Sequence, residues 1–257
     1  MKNSILFLFA TVLFSNTINA QLKAVKYADG EQQLNGLFIK SAKKSSQNPG
    51  ILLLPAWLGI DKASKEIAEN LSKLGYNVFI ADIYGEGNYP KNTSEAGKQA
   101  GYYKKNFEAY QKRINAALQE LIKSGANADN IVAIGYCFGG TGVLEAARGQ
   151  LNVKGVASFH GGLGKDASRA ATPITTKVLI CHGADDPFVS KEEITAFQQE
   201  MRDTKADWQM IYYANSVHSF TNPEAGNDNS KGAAYNPVAA KRSFDHLLLF
   251  LNEVLKK

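Results

Sequence analysis

The stretch Gly135-Tyr136-Cys137-Phe138-Gly139-Gly140 constrains the chain more than any other. Asn130-Ile131-Val132-Ala133-Ile134 leads into it. That run is short, apolar and β-branched, the pattern of a strand buried on both faces. Thr141 to Arg148 reads as a helix. A strand must therefore turn sharply at Cys137 into a helix. The flanking glycines let strand and helix approach and let the turn adopt a strained backbone. Such an elbow lifts its central side chain clear of the sheet, at the N-terminus of the helix. Free N–H groups and the helix dipole there favour a thiolate and a developing oxyanion.

The rest of the chain supplies the sheet that an elbow needs. Leu22 to Tyr27 and Leu34 to Lys40 read as an opening antiparallel pair. Strands follow at Ile51–Leu54, Val78–Ala81, Val153–Phe159, Val178–Cys181 and Trp208–Tyr213, the first and fourth with a buried pattern. Helical periodicity covers Ala63–Leu74, Lys191–Met201 and Pro237–Leu255, and a long helix is expected over Tyr102–Lys123. Asn88–Gly101 reads as a polar loop, a candidate lid or surface connection, and Asn222–Tyr235 as a second one. Strand and helix alternate from residue 51 onward. The expected class is α/β, with a mainly parallel central sheet and helices on both faces. Ligands of such sheets bind beyond the carboxyl ends of the strands.

The 257 residues suit one large domain, taken as residues 21–257. The formal net charge is +5, without a basic stripe or interleaved aromatics, so nucleic acid is not an expected partner. The first twenty residues read differently. Lys2 precedes an apolar run from Ile5 to Phe14, and Ile18-Asn19-Ala20 resembles a small-residue cleavage site. This is the pattern of a secretory signal peptide, and the run is too short for a membrane span. Export to the periplasm or beyond is expected, with no stable membrane anchor. The two cysteines, Cys137 and Cys181, could form a disulfide in an oxidising compartment. Cys181 nevertheless sits in a buried-strand pattern, where a free thiol packs as a small apolar side chain.

Polar residues in the strand-end turns supply the chemistry. Nucleophile, acid and histidine in that chain order are met by Cys137, Asp186 and His218. His218 would take and return the proton, and Asp186 would fix its tautomer. Asp185 competes with Asp186, and a cap or turn role would suit either. His246 lies mid-helix, His182 precedes the acid turn, and His160 at a strand end could line the pocket. His160-Gly161-Gly162 follows the nucleophile, so it reads as a tight turn rather than an oxyanion loop. The oxyanion donors are expected to be the backbone N–H groups of Phe138 and Trp57. The Trp57 side chain could equally be pocket wall or core. Tyr84, Tyr103 and His160 are the expected pocket residues.

These stretches together resemble the dienelactone hydrolase family of α/β-hydrolases. The resemblance rests on Asp82-Ile83-Tyr84-Gly85, the elbow, Ser158-Phe159-His160-Gly161-Gly162, His182 to Val189 and His218 to Pro223. It implies a Cys-Asp-His triad that hydrolyses small esters or lactones without cofactor or metal, and it favours Asp186 over Asp185. Well-known members carry a glutamate where Ala56 stands, and substrate-binding arginines where Asn222 and the region of Gln99 stand. A neutral or larger ester is therefore the expected substrate, with thiol activation resting on His218. A thioesterase or acyltransferase would share the acyl-enzyme step. A non-catalytic binding protein on the same fold is the alternative from another class.

Overall fold

The structure is a computed structural model that describes residues 21–257; the expected signal segment, residues 1–20, lies outside them. Eight strands form one sheet: β1 (Lys23–Asp29), β2 (Gln32–Ile39), β3 (Gly50–Leu54), β4 (Asn77–Ile80), β5 (Ile131–Tyr136), β6 (Gly155–Phe159), β7 (Lys177–Gly183) and β8 (Trp208–Tyr213). Their order is β1-β2-β4-β3-β5-β6-β7-β8. The β1–β2 and β2–β4 pairings are antiparallel, and every later one is parallel. This is the α/β-hydrolase fold. The strand order reverses beside β3, and the crevice that this opens at the carboxyl ends of β3 and β5 is where ligands bind in open parallel sheets.

The period of two along each strand divides the apolar side chains between two cores. Leu52, Leu54, Ile131 and Ala133 point into one, and Ile51, Leu53, Val132 and Ile134 into the other. The first core is closed by α2 (Thr93–Lys105), α3 (Phe107–Lys123), α4 (Phe138–Arg148) and α5 (Lys191–Asp203). The second is closed by α1 (Lys62–Leu74) and α6 (Pro237–Val254). A capping box between Asp61 and Ser64 starts α1, and Gly75 at φ 110° ends it.

One sequence expectation is corrected here. Residues 93–101, expected as a loop, belong to α2, and Asn106 divides the long helix expected over Tyr102–Lys123 between the end of α2 and α3. Asn92 caps α2 by accepting from the Glu95 N–H, and the Asn106 side chain donates to the Tyr102 carbonyl. Gly97, Gly101 and a weakly amphipathic face obscure this helix in the sequence.

The loop after β4 is tied down by one buried carboxylate. Asp82 accepts from the Tyr84 and Gly85 N–H groups through Oδ1, and from the Asn35 N–H and the Tyr89 hydroxyl through Oδ2. Its backbone N–H and C=O both bond the Tyr27 hydroxyl. Asp82→Ala strips four donors of their acceptor, and unpaired buried groups cost about 1–3 kcal/mol each before water reaches them. A loss of about 3 kcal/mol is expected, read as a fall of roughly 6–12 °C in thermal midpoint. An unchanged midpoint would contradict this account of the loop.

Candidate active site

Close packing of backbone on backbone builds the elbow. A Cβ at Gly139 would overlap the Leu54 and Pro55 carbonyls, and one at Gly135 would overlap the Gly139 carbonyl. Only glycine lets α4 start this close to β3. Between them Cys137 takes φ 53° and ψ −113°, a strained conformation for a residue with a side chain. His160 at φ 41° and Ser219 at φ 57° share the left-handed region, and both line the same cavity as Cys137. Gly161 packs against Gly140 so closely that a Cβ on either would collide. The backbone bends at His160, and Gly161 and Gly162 continue without a regular turn.

His218 is held on a loop whose backbone is bonded on both sides. Its N–H donates to the Gly232 carbonyl, and its own carbonyl accepts from Ala234. Gly183 at the end of β7 lets that strand touch the Ser216 carbonyl, which brings the acid turn up to the histidine. His218 Nδ1 lies 2.9 Å from Asp186 Oδ2, and Nε2 lies 3.0 Å from Cys137 Sγ. Asp186 Oδ1 accepts from the Phe188 N–H, so the carboxylate is buried and fixed. Asp185 is exposed and makes no contact of this kind. His182 lies inside β7 against Tyr212, and His246 on α6 hydrogen-bonds the Tyr213 hydroxyl.

The electrostatics favour an ion pair. Burial alone would raise the Cys137 thiol. The hydrogen bond and charge of His218, the Lys104 charge and the Phe138 N–H outweigh burial and bring the thiol below its ordinary range. Burial likewise lowers His218, but its bonds to Asp186 and Cys137 prevail and hold it up to about 9. Both shifts favour a thiolate beside an imidazolium over the neutral pair. Cys181 behaves differently. It is buried and free, its thiol is pushed up to about 12 by burial, and it accepts from the Tyr213 hydroxyl. No disulfide joins the two cysteines.

The sulfur opens onto a cavity of about 520 Å³. Pro55, Ala56, Trp57, Leu58 and Ile67 give it a mostly apolar wall. Ala56 and Asn222 both line it, so neither the family's glutamate nor its arginine has a counterpart at those positions. His160 lines it as expected, its Nε2 2.8 Å from Thr221 Oγ1, and packs edge-on to His218. Burial holds His160 well below its usual range, so it stays neutral.

Tyr84 and Tyr103 do not line the cavity and are corrected: both are buried in the layer behind it. The Tyr84 hydroxyl donates to the Trp57 carbonyl at 2.6 Å, and the Tyr103 hydroxyl accepts from Arg113 Nε. The sequence reading missed Lys104, the one lysine or arginine among the cavity's lining residues. With residues 93–101 taken as a loop, the face of the last turn of α2 could not be read.

Among the described residues no group of three or more His, Cys, Asp and Glu side chains is placed to hold a metal ion. No described helix is long and apolar enough to cross a membrane.

Comparison with known proteins adds three findings. The family model for the dienelactone hydrolase family matches residues 34–255. A probable 2-oxo-3-(5-oxofuran-2-ylidene)propanoate lactonase of a Bradyrhizobium species is 25% identical over 213 residues, covering 79% of this chain and 83% of its own. The crystal structure of a dienelactone hydrolase-like promiscuous phosphotriesterase from metagenomic libraries superposes with a TM-score of 0.86 at 33% identity, covering 93% of this chain and 100% of its own.

Proposed function

As a member of the dienelactone hydrolase family this chain hydrolyses carboxylic esters or lactones, and we propose that it does so through a Cys137 thiolate paired with His218 and Asp186. The observation that carries the proposal is the unbroken line of hydrogen bonds Asp186–His218–Cys137, at 2.9 and 3.0 Å, at the wall of the cavity. The sulfur adds to the ester carbonyl, and the carbonyl electron pair moves to oxygen. That oxyanion is taken by the N–H groups of Phe138 and Trp57. As the intermediate collapses, the carbon–oxygen bond to the alcohol breaks and the His218 Nε2 proton passes to the leaving oxygen. Neutral His218 then draws a proton from water, the hydroxide adds to the thioester, and collapse expels the thiolate as the acid is released. Asp186 keeps Nδ1 protonated throughout, so Nε2 faces the sulfur.

The test is hydrolysis of a series of p-nitrophenyl esters and a simple lactone by residues 21–257. Turnover that follows acyl size would sustain the reading, and absence of turnover with every member would sink it. A neutral phosphotriester belongs in the series as a second reading. The neighbour named above is a promiscuous phosphotriesterase at 33% identity, and attack on phosphorus develops charge in the same place. The reading also takes the chain to be exported, on the signal pattern of residues 1–20.

Lys104 revises the expectation of a purely neutral substrate. A single ammonium in a mostly apolar wall favours a substituent of opposite charge. For Lys104→Met, kcat/KM on a monoester carrying a free carboxylate should fall about 2- to 5-fold more than on its neutral analogue, an effect of up to about 1 kcal/mol for an exposed pair. An equal change for both substrates would remove Lys104 from recognition.

A further inference from the structure

Three aromatic rings from distant parts of the chain stack behind the elbow. Phe138 lies between Tyr110 of α3, at 4.6 Å and 4° between planes, and Tyr84 of the β4–α2 loop, at 5.8 Å and 10°. All three are buried. The two tyrosine hydroxyls reach past the ring they share to main-chain carbonyls. Tyr84 donates to the Trp57 carbonyl at 2.6 Å, and Tyr110 to the Phe138 carbonyl at 3.0 Å. These carbonyls belong to the two residues whose N–H groups the proposed mechanism turns toward the oxyanion.

The sequence yields something to make room for this. Gly142 lies inside α4, where glycine costs about 1 kcal/mol relative to alanine. A Cβ there would overlap the Tyr110 hydroxyl. The loop carrying Tyr84 is in turn fixed by Asp82, which accepts from the Tyr84 N–H. Burial raises both phenols far above their ordinary range, so both remain donors at any working pH.

We infer that Tyr84 and Tyr110 are positioning residues that hold the oxyanion hole, each fixing one of its two donor residues by a hydrogen bond to that residue's own carbonyl. The inference rests on the reading of Cys137 as nucleophile, with Trp57 and Phe138 as donors. The physical reason is preorganisation. Backbone donors stabilise a developing charge most when they need not move to meet it, and removing one such donor lowers turnover about 100- to 1000-fold. Loosening a donor without removing it should lower turnover by less. The two tyrosines act through different segments, so their effects should multiply.

The test uses Tyr84→Phe, Tyr110→Phe and the double variant, with Tyr103→Phe as control. Tyr103 belongs to the same aromatic group, but its hydroxyl meets Arg113 rather than the hole. Phenylalanine keeps each ring in the stack and removes only the hydroxyl. For p-nitrophenyl butyrate, kcat should fall about tenfold in each single variant and about 100-fold in the double, with KM little changed. Affinity for a trifluoromethyl ketone, which forms a tetrahedral oxyanion on the sulfur, should weaken in parallel. Alkylation of Cys137 by iodoacetamide, a displacement that makes no oxyanion, should keep its wild-type rate.

Three results would overturn the inference. They are full turnover in Tyr84→Phe, loss of alkylation together with turnover, and an equal loss in Tyr103→Phe. If Tyr110→Phe lowers stability, Tyr84→Phe carries the test alone. Failure of the underlying reading looks different, because Cys137→Ala would then keep its turnover whatever the tyrosine variants do.

Discussion

Cys137→Ala will lose ester turnover by a factor on the order of 10⁴ to 10⁶. The substitution removes the atom that forms the new bond and little else. The His218–Asp186 pair, the cavity and the Phe138 N–H all remain. Any residual rate then reports binding and oxyanion stabilisation acting on a water molecule, about 10³-fold over the uncatalysed reaction. Cys181→Ser is the companion variant and should retain activity, since Cys181 lies in the other core. Steady-state turnover of a p-nitrophenyl ester, with mass spectrometry of the rapidly quenched wild type, checks both points. The acyl mass should sit on the peptide that holds Cys137. Wild-type turnover in Cys137→Ala would end the assignment of the nucleophile.

Asp186→Asn is expected to cost about 10³- to 10⁴-fold in kcat while leaving the fold intact. The side chain keeps its shape and can still accept from the Phe188 N–H. It can also present an amide N–H to His218 Nδ1. The neutral imidazole would then carry its single proton on Nε2, where it cannot accept the thiol proton, and the charged form loses the partner that stabilises it. The pH profile supplies a second readout. Wild-type activity needs a thiolate and an imidazolium together. It should fall on the acid side as pH drops through the lowered thiol value, and on the alkaline side as pH rises through about 9, where His218 gives up its proton. In Asp186→Asn the alkaline limb should move to lower pH, because a raised value has lost its principal cause. A limb that stays near pH 9 would mean that the carboxylate does not set the histidine.

The elbow, the acid and the histidine were legible in the sequence because each lies in the connection that leaves a strand, buried for Cys137 and Asp186 and half-exposed at the sheet edge for His218. Local pattern fixes both the strand and the residue that leaves it. Asp186 and Asp185 are adjacent in sequence, and the fold separates them by burying only the first. Side-chain direction was not legible. Tyr84 stands at a strand end like the others, but Asp82 pulls the backbone so that its ring turns inward and its hydroxyl reaches Trp57. Tyr103 and Lys104 are neighbours on α2 that point to opposite sides, one into the core and one to the cavity. Placing them requires the register of a helix whose two glycines hide its period. Gly142 likewise looks like a helix defect until the Tyr110 hydroxyl is seen beside it.

The two sulfurs differ in one further respect that bears on how long each molecule lasts. Cys137 is a partly exposed thiol held toward the thiolate, the state most readily oxidised to a sulfenic acid. Such a lesion is reversed when a second thiolate condenses with it. Cys181 cannot serve, because burial keeps it protonated among apolar side chains of the other core. The chain holds no other cysteine. Repair must therefore come from a thiol outside the molecule, and without one each oxidation can proceed to the sulfinic acid, which spontaneous chemistry does not undo.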